Sequence, residues 1–190
     1  MRKIDHLPNA ITISRIGLAP LLILLLRAQR YPQALAVFVI AGISDALDGY
    51  VAKRYGLTSQ FGSILDPFAD KILLISAYVM LAILGRIPFW LMLTVAFRDL
   101  LIIGGYLAYT SIVGSVHMRP SLLSKLNTVM QILLVVAVLA QAAMALPISG
   151  LVHLLVEAVF VSTVASGAHY LWTWGIMKEV QPLGSKAGHD

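Results

Sequence analysis

Four of the nine acidic residues in this 190-residue chain, Asp45, Asp48, Asp66 and Asp70, fall within 26 consecutive positions. Asp45 and Asp48 are three residues apart, and Asp66 and Asp70 are four apart. On helices, each spacing puts both carboxylates on one face. A short loop separates the two pairs, so the helices that carry them are expected as antiparallel neighbours on which the pairs converge. Converging carboxylates repel and raise one another's pKa unless a cation joins them. An all-oxygen donor set favours Mg²⁺, Mn²⁺ or Ca²⁺ over zinc or copper, and Mg²⁺ commonly keeps positions open for phosphate oxygens. The chemistry these residues suggest is therefore a carboxylate–metal site, with one or two ions, that holds a phosphate or diphosphate. The bland alternative is four interfacial acids paired with Lys53, Arg54 and Lys71. Gly49, Ala52 and Gly62 stand at helical spacing around the acids and let a helix or a ligand come close; packing alone would also explain them.

The rest of the chain must position these groups in an apolar setting. Hydrophobic residues make up 59% and charged residues 12%, against about 25% charged in an ordinary soluble domain. With a mean hydropathy of +0.86, this excludes a water-soluble globule and a disordered chain. There is no cysteine, which excludes disulfides, thiolate metal sites and cysteine nucleophiles. The net charge of +5 is read as loop charge facing an anionic membrane, not as a nucleic-acid surface. Arg2 and Lys3 give the N-terminus a basic start, but no cleavable signal or transit peptide is expected.

Hydropathy divides the chain into six spans: about Ala10 to Leu26, Ala34 to Ala52, Asp66 to Leu84, Pro88 to Tyr109, Leu122 to Ala145 and Leu151 to Ile176. Pro32, Pro88 and Pro147 stand at span starts, where a missing N–H costs little. The fold expected is all-α, a polytopic membrane protein of six transmembrane helices forming one domain over residues 1–190. Residues 182–190 are expected as a mobile tail. With both termini on one side, that side collects Arg2, Lys3, Lys53, Arg54, Arg119, Lys125, Lys178 and Lys186, and the other Arg27, Arg30 and Arg86. This balance of eight to three favours termini inside, and it puts the aspartates at the cytoplasmic face. Arg15, Lys71 and Arg98 lie within spans and do not enter the count.

The acidic window reads Asp45-x2-Asp48-Gly49-x2-Ala52-Lys53-x8-Gly62-x3-Asp66-x3-Asp70. It closely resembles the signature of the CDP-alcohol phosphatidyltransferases, D-x2-D-G-x2-A-R-x8-G-x3-D-x3-D. One position departs: Lys53, followed by Arg54, stands at the usual arginine. The positive charge is kept, but a bidentate phosphate grip passes to Arg54 if it is made at all. The stretches Pro8-Asn9-Ala10-Ile11-Thr12-Ile13-Ser14-Arg15 and Leu65-Asp66-Pro67-Phe68-Ala69-Asp70-Lys71 resemble the branch that holds the cardiolipin synthases and phosphatidylglycerophosphate synthases. Arg98-Asp99-Leu100 and Arg119-Pro120-Ser121-Leu122-Leu123-Ser124-Lys125-Leu126-Asn127-Thr128 look more like the CMP-forming cardiolipin synthases. No lysine or arginine lies between Arg98 and Arg119, and an acceptor with a free phosphate dianion would call for more cationic donors.

The resemblance implies phosphatidyl transfer from CDP-diacylglycerol to an alcohol, with release of CMP. Asp45, Asp48, Asp66 and Asp70 would hold Mg²⁺ or Mn²⁺, and Asp70 would also be the general base. Asn9, Thr12, Asp45, Gly49, Ala52, Lys53 and Gly62 would bind the CDP moiety. Arg15, Arg54, Arg98, Arg119 and Lys125 would receive the acceptor, with phosphatidylglycerol preferred and glycerol 3-phosphate the alternative. A homodimer in a bacterial cytoplasmic membrane is implied as well. Competing readings are a membrane prenyltransferase, disfavoured by length, and a divalent-cation transporter, disfavoured because the acids cluster at one side. Arg15 has a bland reading as a snorkelling side chain, and Arg98 as a structural partner of Asp99. Glu157, in the middle of the sixth span, has His153, His169 or another helix as its expected partner.

Overall fold

The computed structural model describes residues 7–55, 60–113 and 122–176, with side chains over 17–44, 71–105 and 122–172. The described residues form six α-helices and no strand: α1 (Leu7–Arg27), α2 (Tyr31–Tyr55), α3 (Gln60–Ile83), α4 (Phe89–Val113), α5 (Leu122–Met144) and α6 (Ser149–Ile176). Each expected span lies on one of them. The helices overrun the apolar runs by as much as six residues, because backbone bonding continues after hydropathy falls. Pro20 lies inside α1. It removes one backbone donor without ending the helix, as membrane helices commonly tolerate.

Tight turns reverse the chain between helix pairs. After α1, the Arg30 N–H donates to the Leu25 carbonyl and the Gln29 N–H to the Leu26 carbonyl, both at 2.9 Å. Gln29 takes a φ of 54°, which completes a left-handed C-cap of the Schellman type. The same pattern closes α3: Arg86 N–H to Leu81 carbonyl at 2.8 Å and Gly85 N–H to Ala82 carbonyl at 3.0 Å. There the left-handed residue is Gly85, at φ 67°. A third left-handed residue, Ala145 at φ 50°, follows α5.

The helices pack as a closed ring. α1 contacts α2, α2 contacts α5, α5 contacts α6, α6 contacts α4, α4 contacts α3, and α3 returns to α1. Small side chains (Ala19, Ala34, Ala41, Ala77) are buried within it, and Leu22, Leu81, Leu91 and Leu134 fill its centre. α1 lies between α2 and α3, and among the described residues those two have no extensive contact with each other. Small buried residues let α1 approach both. The four residues 56–59 still limit the gap between Tyr55 and Gln60 to roughly 18 Å.

The outside of the ring is apolar as well. Leu24, Ile40, Ile83, Phe97, Leu154 and Val161 are exposed large hydrophobic residues. Two helical stretches among the described residues, Leu122–Met144 and Ser149–Trp172, are long and apolar enough to cross a membrane. The apolar stretches Gly17–Arg27, Tyr31–Ser44 and Lys71–Ile83 are shorter. The tail at 182–190 lies outside the described residues.

Candidate active site

Chain reversal decides which groups share an end of the ring. The C-terminal turns of α2 and the N-terminal turns of α1 and α3 fall at one end. Asp45 and Asp48 lie on α2, and Asp66 and Asp70 on α3. Asn9, Thr12 and Arg15 lie in the first turns of α1, the helix packed against both. Gly49, Ala52, Lys53 and Arg54 continue α2, and Gly62 stands near the start of α3. The side chains of all these residues lie outside the described ones, as does Arg119 altogether. The backbone thus brings the signature to one end of the ring, with helical spacing within each pair. Carboxylate oxygens as a class are hard donors that suit a hard divalent cation. Among the described residues, which do not include those four side chains, no group of three or more His, Asp or Glu could hold a metal ion.

The same end carries a buried polar network. Asp99 of α4 is 2% exposed and receives two cations. Lys71 Nζ lies 2.6 Å from Asp99 Oδ2, and Arg98 Nη1 lies 2.7 Å from Oδ1. Arg98 Nη2 donates to Ser124 Oγ of α5 at 2.6 Å and to Ser166 Oγ of α6 at 2.7 Å. One guanidinium therefore ties α4 to α5 and α6, as its rigid fork of donors allows. Arg98 Nε is buried with no partner among the described residues. Breaking a buried pair from one side costs about 3–5 kcal/mol, because the other charge is left uncompensated. Arg98 is 4% exposed, and both its Nη atoms are committed to the chain's own groups. Lys125, by contrast, is exposed at the start of α5.

One turn deeper, Asn127 of α5 accepts at Oδ1 from Ser162 Oγ at 2.8 Å and Thr163 Oγ1 at 2.9 Å, both on α6. Gln131 follows it on the same helix face, fully buried, and its backbone carbonyl lies 3.4 Å from the Tyr78 hydroxyl. Sequence reading missed these contacts. The signal available was Asn127 and Gln131, two amides four residues apart in an apolar run, opposite Ser162, Thr163 and Ser166. Glu157 and His153 are exposed on α6. His169 meets Tyr170 edge to face, with ring centroids 6.4 Å apart.

The apolar six-helix ring thus carries the Asp45-to-Asp70 signature on the two helices that flank α1. Comparison with known proteins names the family: residues 5–169 match the CDP-alcohol phosphatidyltransferase family, and the chain belongs to it. It is 36% identical to the human protein named cardiolipin synthase (CMP-forming) over 150 residues, which are 70% of this chain and 50% of that protein. It is 30% identical over 179 residues to a probable phosphatidylglycerophosphate synthase of Mycobacterium tuberculosis, 89% of this chain and 81% of that one. It is 29% identical over 192 residues to CDP-diacylglycerol–glycerol-3-phosphate 3-phosphatidyltransferase of Bacillus subtilis, covering 91% and 97%. The chain spans about half the length of the human, rat and fruit-fly cardiolipin synthases that it matches.

Proposed function

We propose that this protein transfers a phosphatidyl group from CDP-diacylglycerol to the hydroxyl of phosphatidylglycerol, forming cardiolipin and CMP. The acceptor oxygen attacks the phosphorus that bears the diacylglycerol. The bond from that phosphorus to the oxygen bridging to CMP breaks, CMP leaves, and the hydroxyl proton passes to Asp70. A divalent cation, Mg²⁺ or Mn²⁺, held by Asp45, Asp48, Asp66 and Asp70, would neutralise diphosphate charge and improve the leaving group. Asn9, Thr12, Gly49, Ala52, Lys53 and Gly62 receive the cytidine diphosphate; the two glycines and the alanine leave room for close approach. Lys125, Arg15, Arg54 and Arg119 supply charge to the acceptor's phosphodiester, and Arg98 adds its charge from behind, through the Asp99 cluster. The reaction runs at the cytoplasmic face of a bacterial membrane, in a six-span bundle with both termini inside, as a homodimer.

The observation that carries the family reading is the four-aspartate signature gathered at one end of the ring. The observation that favours a phosphodiester acceptor is the state of Arg98. With both Nη atoms engaged by Asp99, Ser124 and Ser166, Arg98 is not placed to grip a phosphate dianion directly. Glycerol 3-phosphate is the second reading, favoured by what the mycobacterial and Bacillus relatives are named for. Purified protein given labelled CDP-diacylglycerol with each acceptor separates the two. Cardiolipin is expected with phosphatidylglycerol. Product from glycerol 3-phosphate alone would overturn the acceptor, and no CMP from either would overturn the reaction.

A further inference from the structure

Lys71 follows Asp70 directly, so their Cα atoms are about 3.8 Å apart. Its ammonium is a compact charge on a flexible stem. Left free, it would be drawn to the signature carboxylates, where it would compete with a divalent cation. The side chain is 25% exposed. Yet its Nζ lies 2.6 Å from Asp99, on the neighbouring helix. Asp99 is held in turn by Arg98 at 2.7 Å, and Arg98 by Ser124 and Ser166. A single polar chain thus runs from α6 and α5 through α4 to the residue after Asp70.

We propose that Asp99 is a positioning residue that withholds the Lys71 ammonium from the signature aspartates and so keeps their charge available to a divalent cation. A strut that only stabilises the fold would not need a cation next to the site. Arg98 alone already bonds α4 to α5 and α6. What the Lys71–Asp99 pair adds is a fixed place for a charge that the acidic end would otherwise attract. Moving a unit charge several ångströms nearer a dication site changes its affinity by roughly tenfold or more, at the screening typical of protein sites.

The inference rests on reading the four aspartates as a divalent-cation site. Its test is Mn²⁺ binding by the full-length protein in nanodiscs, followed by electron paramagnetic resonance without substrate. Asp99→Asn is expected to weaken Mn²⁺ binding by roughly tenfold. Adding Lys71→Met to Asp99→Asn should restore affinity to within about twofold of wild type, because the intruding charge is gone. Lys71→Met alone should leave affinity unchanged, and it keeps the test decisive if Asp99→Asn does not fold. Wild-type affinity in Asp99→Asn would overturn the inference. So would a double variant as weak as the single one, tighter binding in Lys71→Met, or no Mn²⁺ binding by wild type. CMP release from CDP-diacylglycerol is measured in parallel. If the Mn²⁺ results stand without CMP release, the proposed reaction fails and this inference survives.

Discussion

Asp70 and its sequence neighbour Lys71 meet opposite requirements. In the proposed reaction Asp70 takes the acceptor proton, a contribution of about 10²–10⁴ in rate for a positioned general base. Asp70→Asn keeps the size of the side chain and loses the basic oxygen. Turnover should therefore fall by roughly two orders of magnitude or more, while CDP-diacylglycerol binding is largely kept. Initial rates of CMP release, set against equilibrium binding of the labelled donor, check this. Turnover at the wild-type rate would remove Asp70 from the base role. The aspartates were legible in the sequence because their geometry is local: spacings of three and four residues on a helix need nothing from elsewhere in the fold. Of the partners of Asp99, the adjacent Arg98 was expected and is found, and Lys71 was not. Lys71 is 28 residues away, and Arg98 reaches Ser124 and Ser166 over 26 and 68 residues. Such contacts exist only after the ring closes, and a lone serine in an apolar helix gives no sign of facing an arginine.

At the scale of the helices, apolar runs of about twenty residues fixed the number and approximate ends of the elements, and the structure keeps all six. Hydropathy did not report the order around the ring. Which helices touch depends on where small buried residues allow close approach, and α1 comes between α2 and α3 for that reason. The caps are a further local feature that hydropathy passes over. Gln29 and Gly85 occupy equivalent positions in two C-caps of one type, both with left-handed φ. A residue with a Cβ is strained there by about 1 kcal/mol, and glycine is not. Gln29→Gly should therefore stabilise the protein by about 0.5–1 kcal/mol, offset in part by the freer unfolded chain, and Gly85→Ala should destabilise it by about 1 kcal/mol. Reversible denaturant titration in mixed micelles measures both. A stabilised Gly85→Ala would show that the left-handed cap is not kept in solution.

For the whole molecule, the two ends of the ring differ in character. One end gathers the signature, the Asp99 cluster and Lys125. The other carries Arg27, Arg30 and Arg86, with the Arg86 guanidinium 5.0 Å from the Tyr31 ring centroid and bonded to its hydroxyl at 3.3 Å. Part of that smaller basic set is thus engaged by an aromatic side chain, and the proposed topology assigns the larger basic set to the signature end. In the proposed topology the positive-inside rule turns the signature to the cytoplasm. The sequence itself makes this easy to test, because it contains no cysteine, and any single cysteine introduced is the only thiol. Ala28→Cys, after α1, and Leu146→Cys, after α5, lie at one end of the ring. Ser59→Cys and Ser121→Cys, in the connections before α3 and α5, mark the other. In intact cells a membrane-impermeant maleimide should label Ala28→Cys and Leu146→Cys, and Ser59→Cys and Ser121→Cys only after permeabilisation. The reverse pattern would place the diphosphate chemistry on the outer face, away from a cytoplasmic supply of CDP-activated lipid. Labelling Ala28→Cys and Leu146→Cys from opposite sides would mean an odd number of crossings between them, where a six-span bundle requires four.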